Sequence, residues 1–287
     1  MTVLKRGSLA AVVIAAALFP LAACAGEDEA PPAPAAPAFR LALPFDRYQW
    51  TPQEKQTREL ARYRLVGQCV RDQGIDFTMP EPKPASEAAG FYDNSRRYGV
   101  LDEGLVATFG YHLPTTDEGK ERGKKNNKWN GEVPRDQELA IYGTGENDPG
   151  CYGKADAELA EDVPAADTEW LGDRNEQSLD ETEEADAVVR AKAAWKDCMA
   201  REGYSYDVPR SASGDPKWKL ELSKIGEEER KVALADVRCK HATGLVTAWR
   251  DAETAWQNRL IQAEPERFRQ LQAAKEATLA ASRRIAS

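Results

Sequence analysis

Cysteine is the residue type with the greatest potential for chemistry in this 287-residue chain, which contains Cys24, Cys69, Cys151, Cys198 and Cys239. The last four form an even set, which predicts two disulfides in an exported protein. Cys69 to Pro80 aligns without gaps with Cys198 to Pro209, and both copies read Cys-x3-[Gln/Glu]-Gly-x2-aromatic-x2-Pro. Since one further cysteine follows each copy, we predict the bonds Cys69–Cys151 and Cys198–Cys239. Pairing between the two units is the alternative.

Histidine, nucleophile and phosphate motifs give no support for catalysis. The two histidines, His112 and His241, are far apart, and no metal-ligand spacing is present. A packed position in an aromatic turn is favoured for His112 over a general base. We find no nucleophile elbow and no glycine-rich phosphate loop. The sequence therefore predicts no enzyme activity, no metal site and no cofactor.

Carboxylate pairs are abundant and could serve a hydrolase that cuts cell wall. The candidates are Asp102/Glu103, Asp117/Glu118 and the run Asp180, Glu181, Glu183 and Glu184. The run is expected at a helix start, where acidic side chains interact favourably with the helix dipole. A structural role is therefore favoured for it.

The N-terminus has the pattern of an export signal. Lys5 and Arg6 precede an apolar run that is too short to span a bilayer, and small residues precede Cys24. We predict a signal peptide over residues 1–23. Leu21-Ala22-Ala23-Cys24 resembles the lipobox of bacterial lipoproteins, which implies that Cys24 receives the lipid. An ordinary secretory cleavage site is the alternative. The predicted location is extracytoplasmic, anchored to the cell membrane through Cys24.

The rest of the chain divides into a tether and helical units. Residues 24–45 are acidic and then rich in proline and alanine, which indicates an extended tether. We predict a first cysteine-containing unit over 46–165, with a long insertion, and a second over 166–287. The second ends in an amphipathic helix. No segment shows convincing strand alternation.

Capping residues predict where the two repeated helices begin and end. Thr51-Pro52-Gln53-Glu54 is a capping box with proline at the first helical position, and Gly74 ends that helix. Ser178 with Glu181 is expected to begin the second helix, which Gly203 ends. Pro265 interrupts the C-terminal helix. The predicted fold class is mainly α: disulfide-stapled helical units with long loops and a C-terminal long helix or helical hairpin.

One basic segment stands out in a chain of net charge −9. Its candidate binding residues are Lys120, Arg122, Lys124, Lys125, Lys128 and Trp129. We interpret the polar stretch from Thr115 to Asp136 as a solvated mobile loop, or as a contact with an anionic wall polymer or an acidic partner. The acidic balance of the whole chain argues against nucleic-acid binding.

Three parts of the sequence resemble an uncharacterised family of actinobacterial secreted proteins and lipoproteins. These parts are Trp195 to Tyr204, Arg97-Tyr98-Gly99 with Phe109-Gly110-Tyr111, and Val237 to Ile261. The resemblance covers most of the chain after the signal peptide. It implies an accessory role beside an envelope ABC exporter or a peptidoglycan-binding protein. Pro265 departs from the family pattern, in which that helix is unbroken.

Three functional hypotheses follow from the sequence. The first is a non-enzymatic, lipid-anchored envelope protein that binds another protein. The second is a lipoprotein that binds wall polymer or a small ligand through the insertion from Tyr92 to Trp129. The third is a carboxylate-dependent wall hydrolase. Charge reversal at Lys124, Lys125 and Lys128 separates the second from the first, because only the second needs those charges.

Overall fold

The computed structural model describes residues 41–82, 94–114, 117–145, 147–222 and 224–287. They all belong to one compact unit. The helices are α1 (Pro52–Asp72), α2 (Glu103–Phe109), α3 (Asp117–Glu132), α4 (Arg135–Tyr142), α5 (Gly150–Ala160), α6 (Thr168–Glu183), α7 (Asp186–Arg201), α8 (Pro209–Ser213), α9 (Glu227–Ala242), α10 (Leu245–Ala263) and α11 (Pro265–Ala286). The described residues contain no strand, and the predicted mainly α class is confirmed. The predicted signal peptide, Cys24 and the tether up to residue 40 lie outside the described residues.

Helix α1 begins and ends where its sequence predicts. The Thr51 hydroxyl accepts a hydrogen bond from the Glu54 amide at 3.2 Å, and the Glu54 carboxylate accepts one from the Thr51 amide at 2.8 Å. Beyond its last turn, Gly74 has φ +75°, a conformation that glycine adopts without steric cost. Gly203 has the same kind of positive-φ conformation after α7, with φ +88°. Both predicted terminators are confirmed.

The predicted start of the second repeated helix is wrong. Ser178 is a fully buried interior residue of α6, and the chain breaks at Glu184 and Ala185 before α7 begins. The Ser178 hydroxyl lies 2.6 Å from a Glu253 carboxylate oxygen, so a tertiary contact replaces the predicted capping role. The acidic run from Asp180 consequently lies at the C-terminal end of α6 rather than at a helix start.

Two further predictions concerned the interruption at Pro265 and the polar stretch in the first unit. Pro265 occupies the first position of α11, directly after α10 ends at Ala263, so the predicted interruption is confirmed and produces two long helices. The stretch from Thr115 to Asp136, expected as a loop, contains the 16-residue helix α3. That expectation is wrong for the described part of the stretch.

The apolar core has three clusters that draw on both ends of the chain. One surrounds Trp195 and Met199 of α7 and includes Tyr98 and Tyr111 from far upstream. A second surrounds Val66 and packs α1 with α4 and α5. The third brings the segment 44–48 against α11, which also packs along α1. The proposed boundary between residues 165 and 166 stays a prediction.

No helix within the described ranges is both long enough and apolar enough to cross a lipid bilayer.

Candidate functional site

Both predicted disulfides are present. Cys69 of α1 is bonded to Cys151 of α5, and Cys198 of α7 is bonded to Cys239 of α9. Their Cα atoms are 5.6 and 5.7 Å apart, which is usual for a disulfide. Cys151 and Cys239 are buried, so each bond joins a buried position to a helix near its C-terminal end. All four cysteines therefore have structural roles.

A buried carboxylate joins three distant segments of the chain. Glu253 of α10 is fully buried and accepts hydrogen bonds from the Arg97 guanidinium, the Tyr98 hydroxyl at 2.8 Å and the Gln257 amide at 3.2 Å. Gln257 in turn accepts a bond from the Phe45 amide at 2.9 Å. Burial, together with the neighbouring Glu253 charge, raises the pKa of Tyr98. Charge pairing and several donors are what a buried carboxylate requires.

A second buried carboxylate holds α9 against α7. Asp236 accepts hydrogen bonds from the Trp195 indole at 3.0 Å, from Lys240 at 3.0 Å and from the Tyr111 hydroxyl at 3.3 Å. The Lys240 ammonium also donates to the Val100 carbonyl at 3.1 Å. Burial raises the pKa of Asp236 and lowers that of Lys240, while their mutual attraction opposes both shifts.

A third buried carboxylate engages His112. Glu229 of α9 accepts a hydrogen bond from the Tyr111 amide at 2.7 Å and lies 2.8 Å from His112 Nδ1. His112 Nε2 donates to the Leu222 carbonyl at 2.9 Å. Both ring nitrogens are thus occupied by internal partners, which favours the packed position expected from the sequence.

Sequence reasoning missed these three carboxylates, although their spacing carries a signal. Glu253 is four residues from Trp249 and seven from Leu260, so it falls on the predicted apolar face of α10. Asp236 is four residues from Val232 and three from Cys239, so it falls on the apolar face of α9. A charged residue within an apolar stripe predicts a buried partner, because an unpaired buried charge is costly.

Three of the carboxylates proposed from the sequence, Glu181, Glu183 and Glu103, form contacts near the protein surface. Glu181 accepts a hydrogen bond from the Trp256 indole at 2.6 Å, and that bond lowers the pKa of Glu181. A general acid needs a raised pKa, so this shift has the wrong direction for a glycosidase acid. Glu183 pairs with Lys192 at 3.3 Å, and Glu103 pairs with Arg238 at 2.9 Å.

The predicted basic segment lies on α3. Lys120, Lys124 and Lys128 are spaced by four residues and therefore share one exposed helix face, with about 6 Å of rise between neighbours. Lys124 also pairs with Glu121 at 2.6 Å. Arg122 and Lys125 lie on other parts of the helix surface. Trp129, on the same helix, is only partly exposed.

Trp129 instead attaches α3 to the rest of the protein. Its indole ring packs against the cluster around the first disulfide, and its Nε1 donates to the Thr78 hydroxyl at 3.1 Å. The binding role proposed for Trp129 together with the basic residues stays a prediction. The lysine face of α3 is left exposed.

Three exposed leucines lie on two turns that are joined to each other. Leu113 is 57% exposed, Leu220 45% and Leu222 50%. His112, next to Leu113, donates to the carbonyl of Leu222, which links the two turns directly. Clustered exposed apolar side chains indicate an interaction surface, whereas isolated ones are ordinary. We call Leu113, Leu220 and Leu222 the leucine surface.

A cleft of about 210 Å³ opens between the segment 96–99, the end of α6, helix α8 and α10. Arginine, glutamate and aromatic side chains line it, including Arg97, Arg210, Glu183 and Trp249. The segment 96–99 belongs to the insertion in which a specific function was expected. No group of histidine, cysteine and acidic side chains suited to a metal ion occurs among the described residues.

No protein-family model, curated protein or solved structure significantly matches this chain.

Proposed function

We propose that this chain is a lipid-anchored, extracytoplasmic accessory protein that binds an envelope protein and has no catalytic role. The leucine surface carries this proposal. It combines three large apolar side chains, each about half exposed, on turns that are joined by the hydrogen bond from His112 to the Leu222 carbonyl. Such a preorganised apolar patch loses little conformational freedom when it is covered by a partner.

The internal hydrogen bonds of the buried carboxylates favour a role without catalysis. Glu253, Asp236 and Glu229 are almost fully buried, and each accepts several internal hydrogen bonds. A general acid or base must reach the reacting atom of a substrate. These three carboxylates face internal donors instead, so their arrangement favours a structural role.

The partner class follows from the proposed location. A lipid on Cys24 and a proline-rich tether would hold the folded part near the membrane, within reach of envelope complexes. The resemblance to actinobacterial lipoproteins points in the same direction, toward an exporter or a wall-binding component. An apolar surface of this kind suits a protein partner better than a polyanion.

Photo-cross-linking in intact cells tests the leucine surface. A photoreactive amino acid is placed at Leu222, and the captured proteins are identified by mass spectrometry. We expect one membrane or wall-associated protein to be captured. We also expect its capture to fall when the chain carries Cys24→Ala, because the protein would no longer be held at the membrane.

The matched control places the same photoreactive amino acid at Val189. Val189 of α7 is 43% exposed but lies outside the leucine surface. Leu222→Glu should abolish co-purification of the captured protein, and Val189→Glu should leave it unchanged. Equal capture at both positions would mean that the leucine surface is not the docking site.

The lysine face of α3 favours a second candidate function, binding of an anionic wall polymer. Lys120, Lys124 and Lys128 form a line of cations on a helix that packs against the first disulfide cluster through Trp129. A row of exposed cations attracts a polyanion, and the attraction weakens as salt screens it. This candidate does not require the leucine surface.

Charge reversal of the lysine face tests polymer binding. Replacing Lys120, Lys124 and Lys128 by glutamate should abolish sedimentation of the protein with purified cell wall at low salt. Reversal of Lys154, Lys219 and Lys224, which are exposed elsewhere, changes the net charge equally and serves as the control. If both triple variants lose binding alike, net charge rather than α3 is responsible.

A further inference from the structure

His112 has an acceptor at each of its two ring nitrogens. Nδ1 lies 2.8 Å from a carboxylate oxygen of Glu229, and Nε2 lies 2.9 Å from the carbonyl oxygen of Leu222. A carbonyl or an ionised carboxylate can only accept, and a neutral imidazole has a single N–H. Both contacts are hydrogen bonds only while His112 and Glu229 together hold one proton more than a neutral histidine beside an ionised carboxylate. We call this proton the shared proton.

The Glu229 carboxylate has little freedom to move away from the imidazole. Glu229 is 2% exposed, and the same carboxylate oxygen accepts a hydrogen bond from the Tyr111 amide at 2.7 Å. Any side chain at Gly110 would overlap this carboxylate, so the backbone packs directly on it. A hydrogen bond to a charged acceptor is roughly twice as strong as a neutral one. When the shared proton is lost, the remaining N–H of His112 therefore stays with Glu229, and a bare Nε2 faces the Leu222 carbonyl.

The turn that contains Leu222 is strained. Lys219 has φ +49° and is the one non-glycine residue with positive φ within the described ranges. Such a backbone persists only where surrounding contacts impose it. Before Lys219, the Trp218 indole is buried and donates to the Ala212 carbonyl at 2.7 Å. At the other end of the turn, His112 bonds to Leu222. Loss of that bond would let the turn relax from its left-handed residue.

Other charged groups lie near His112 but do not bond to its ring nitrogens in the described structure. Arg96 donates to the main-chain carbonyls of Tyr111 and His112. Asp236 accepts a hydrogen bond from the Tyr111 hydroxyl, and burial raises the pKa of Asp236, so its titration must be separated from that of the shared proton. The elements around His112 also contain Asp102, Glu103, Lys219, Glu221, Lys224, Glu228, Arg230 and Lys240.

We propose that the shared proton of His112 and Glu229 holds the leucine surface together. With the proton bound, His112 donates to the Leu222 carbonyl and keeps Leu220 and Leu222 beside Leu113. As the pH rises and the proton leaves, the turn opens and the three leucines separate. The direction follows from linkage, because the closed turn uses the proton and is therefore favoured at low pH. Control of partner binding by this turn rests on the proposed function, whereas the opening of the turn does not.

Two-dimensional NMR of the purified, disulfide-intact chain tests the opening from about pH 5 to about pH 8.5, which spans the ordinary histidine pKa of about 6.5. The ring signals of His112 and the methyl signals of Leu222 should change with the same midpoint. The Leu222 amide donates to the Lys219 carbonyl at 2.8 Å. Its protection from exchange, corrected for the intrinsic effect of pH, should fall about fivefold above the midpoint. His241→Gln is the control, because His241 is the other histidine of the chain and should not affect either change.

Two variants should fix the turn in opposite states. Glu229→Gln can donate an amide N–H to Nδ1, so a neutral His112 satisfies both contacts and the turn should stay closed throughout the range. His112→Asn keeps a donor for Glu229 but has no group that reaches Leu222, so the turn should be open at every pH. Thermal melting curves check that both variants fold.

The proposal is wrong if the Leu222 signals of the unmodified chain do not change with pH. It is also wrong if they change equally in Glu229→Gln, because Asp236 or another group would then be responsible. Should Glu229→Gln fail to fold, His112→Asn still decides. Its Leu222 signals should match those of the unmodified chain at high pH, and signals that match the low-pH state would contradict the proposal.

Photo-cross-linking from Leu222 at about pH 6 and about pH 8 connects the turn to partner binding. Capture should fall at the higher pH in the unmodified chain and persist there in Glu229→Gln. Equal capture at both pH values by the unmodified chain would overturn control by the shared proton. A turn that opens in the purified chain, with nothing captured at either pH, would instead contradict the proposed function and leave the shared proton supported.

Discussion

At the residue scale, Glu253 shows how one buried charge connects separate parts of the sequence. Arg97, Tyr98 and Ser178 reach it from 75 to 156 residues away, and each contributes a hydrogen bond or an ion pair. A buried ion pair adds little net stability over well-packed apolar residues. Removing one partner of the pair lowers stability much more, because the charge of the other partner stays buried and unpaired.

We therefore predict a large effect of Glu253→Ala. The free energy of unfolding should fall by about 3–5 kcal/mol, because Arg97 loses its counterion in the protein interior. Urea unfolding followed by circular dichroism measures this change. Asp251→Ala removes an exposed carboxylate from the same helix and should cost less than about 0.5 kcal/mol.

The double variant distinguishes pairing from simple loss of packing. Arg97→Ala combined with Glu253→Ala should cost clearly less than the two single losses added together, since neither charge is then left alone. Additive losses would show that the two side chains do not depend on each other, contrary to their contact in the structure.

At the element scale, Lys275 of α11 contacts the start of α1. The Lys275 ammonium donates to the Gln49 carbonyl at 2.6 Å and pairs with Glu54 at 2.9 Å. Burial opposes ionisation of Glu54, but hydrogen bonds from Thr51 and Lys275 prevail and lower the pKa of Glu54 below 4.5. Glu54 therefore connects the cap of one helix to the side of another.

This pair predicts a pH-dependent cost for Lys275→Met. Because the pKa of Glu54 is lowered by folding, its stabilising contribution is present above its unfolded pKa and is lost as the pH falls. Lys275→Met should lower the free energy of unfolding by about 1–2 kcal/mol at neutral pH and by less near pH 3. Urea unfolding at the two pH values measures the difference.

Lys231→Met provides the control for this prediction. Lys231 pairs with Glu227 at 2.6 Å on the exposed face of α9, where solvent screens the interaction. Its loss should have no measurable effect at either pH. If Lys275→Met has the same cost at both pH values, the bonds from Lys275 to backbone carbonyls carry the whole effect and Glu54 contributes nothing.

Helix ends were predictable where a local signal fixes the backbone. The capping box at Thr51 and the glycines at 74 and 203 act within a few residues, so the sequence around them is sufficient. Ser178 has the same local pattern as Thr51, but a contact with Glu253, 75 residues away, places it inside a helix. Helix α3 was missed because its glycines and asparagines are weak helix formers.

At the scale of the whole molecule, the disulfide pairing was predictable because the repeated units order the cysteines. The packing of those units against each other was not predictable from the sequence. Tyr98 and Tyr111 lie between the first pair of cysteines, yet they pack in the cluster around Trp195. Helix α11 lies at the other end of the sequence and packs along α1. Contacts of this kind depend on surface shapes that a sequence pattern does not contain.

These shared contacts predict that the two cysteine-containing units unfold together. Cys69→Ala with Cys151→Ala opens a link of sequence separation 82, for which the chain-entropy treatment gives a loss of about 4.5 kcal/mol. Because α11 packs on α1, and Tyr98 and Tyr111 pack beside Trp195, amide hydrogen exchange should accelerate in 166–287 as well as in 46–165. Mass spectrometry of exchanged peptides resolves the two regions in one experiment. Unchanged protection of 166–287 in the variant would show that this region is stable by itself, and the proposed boundary after residue 165 would then separate two independently folding domains.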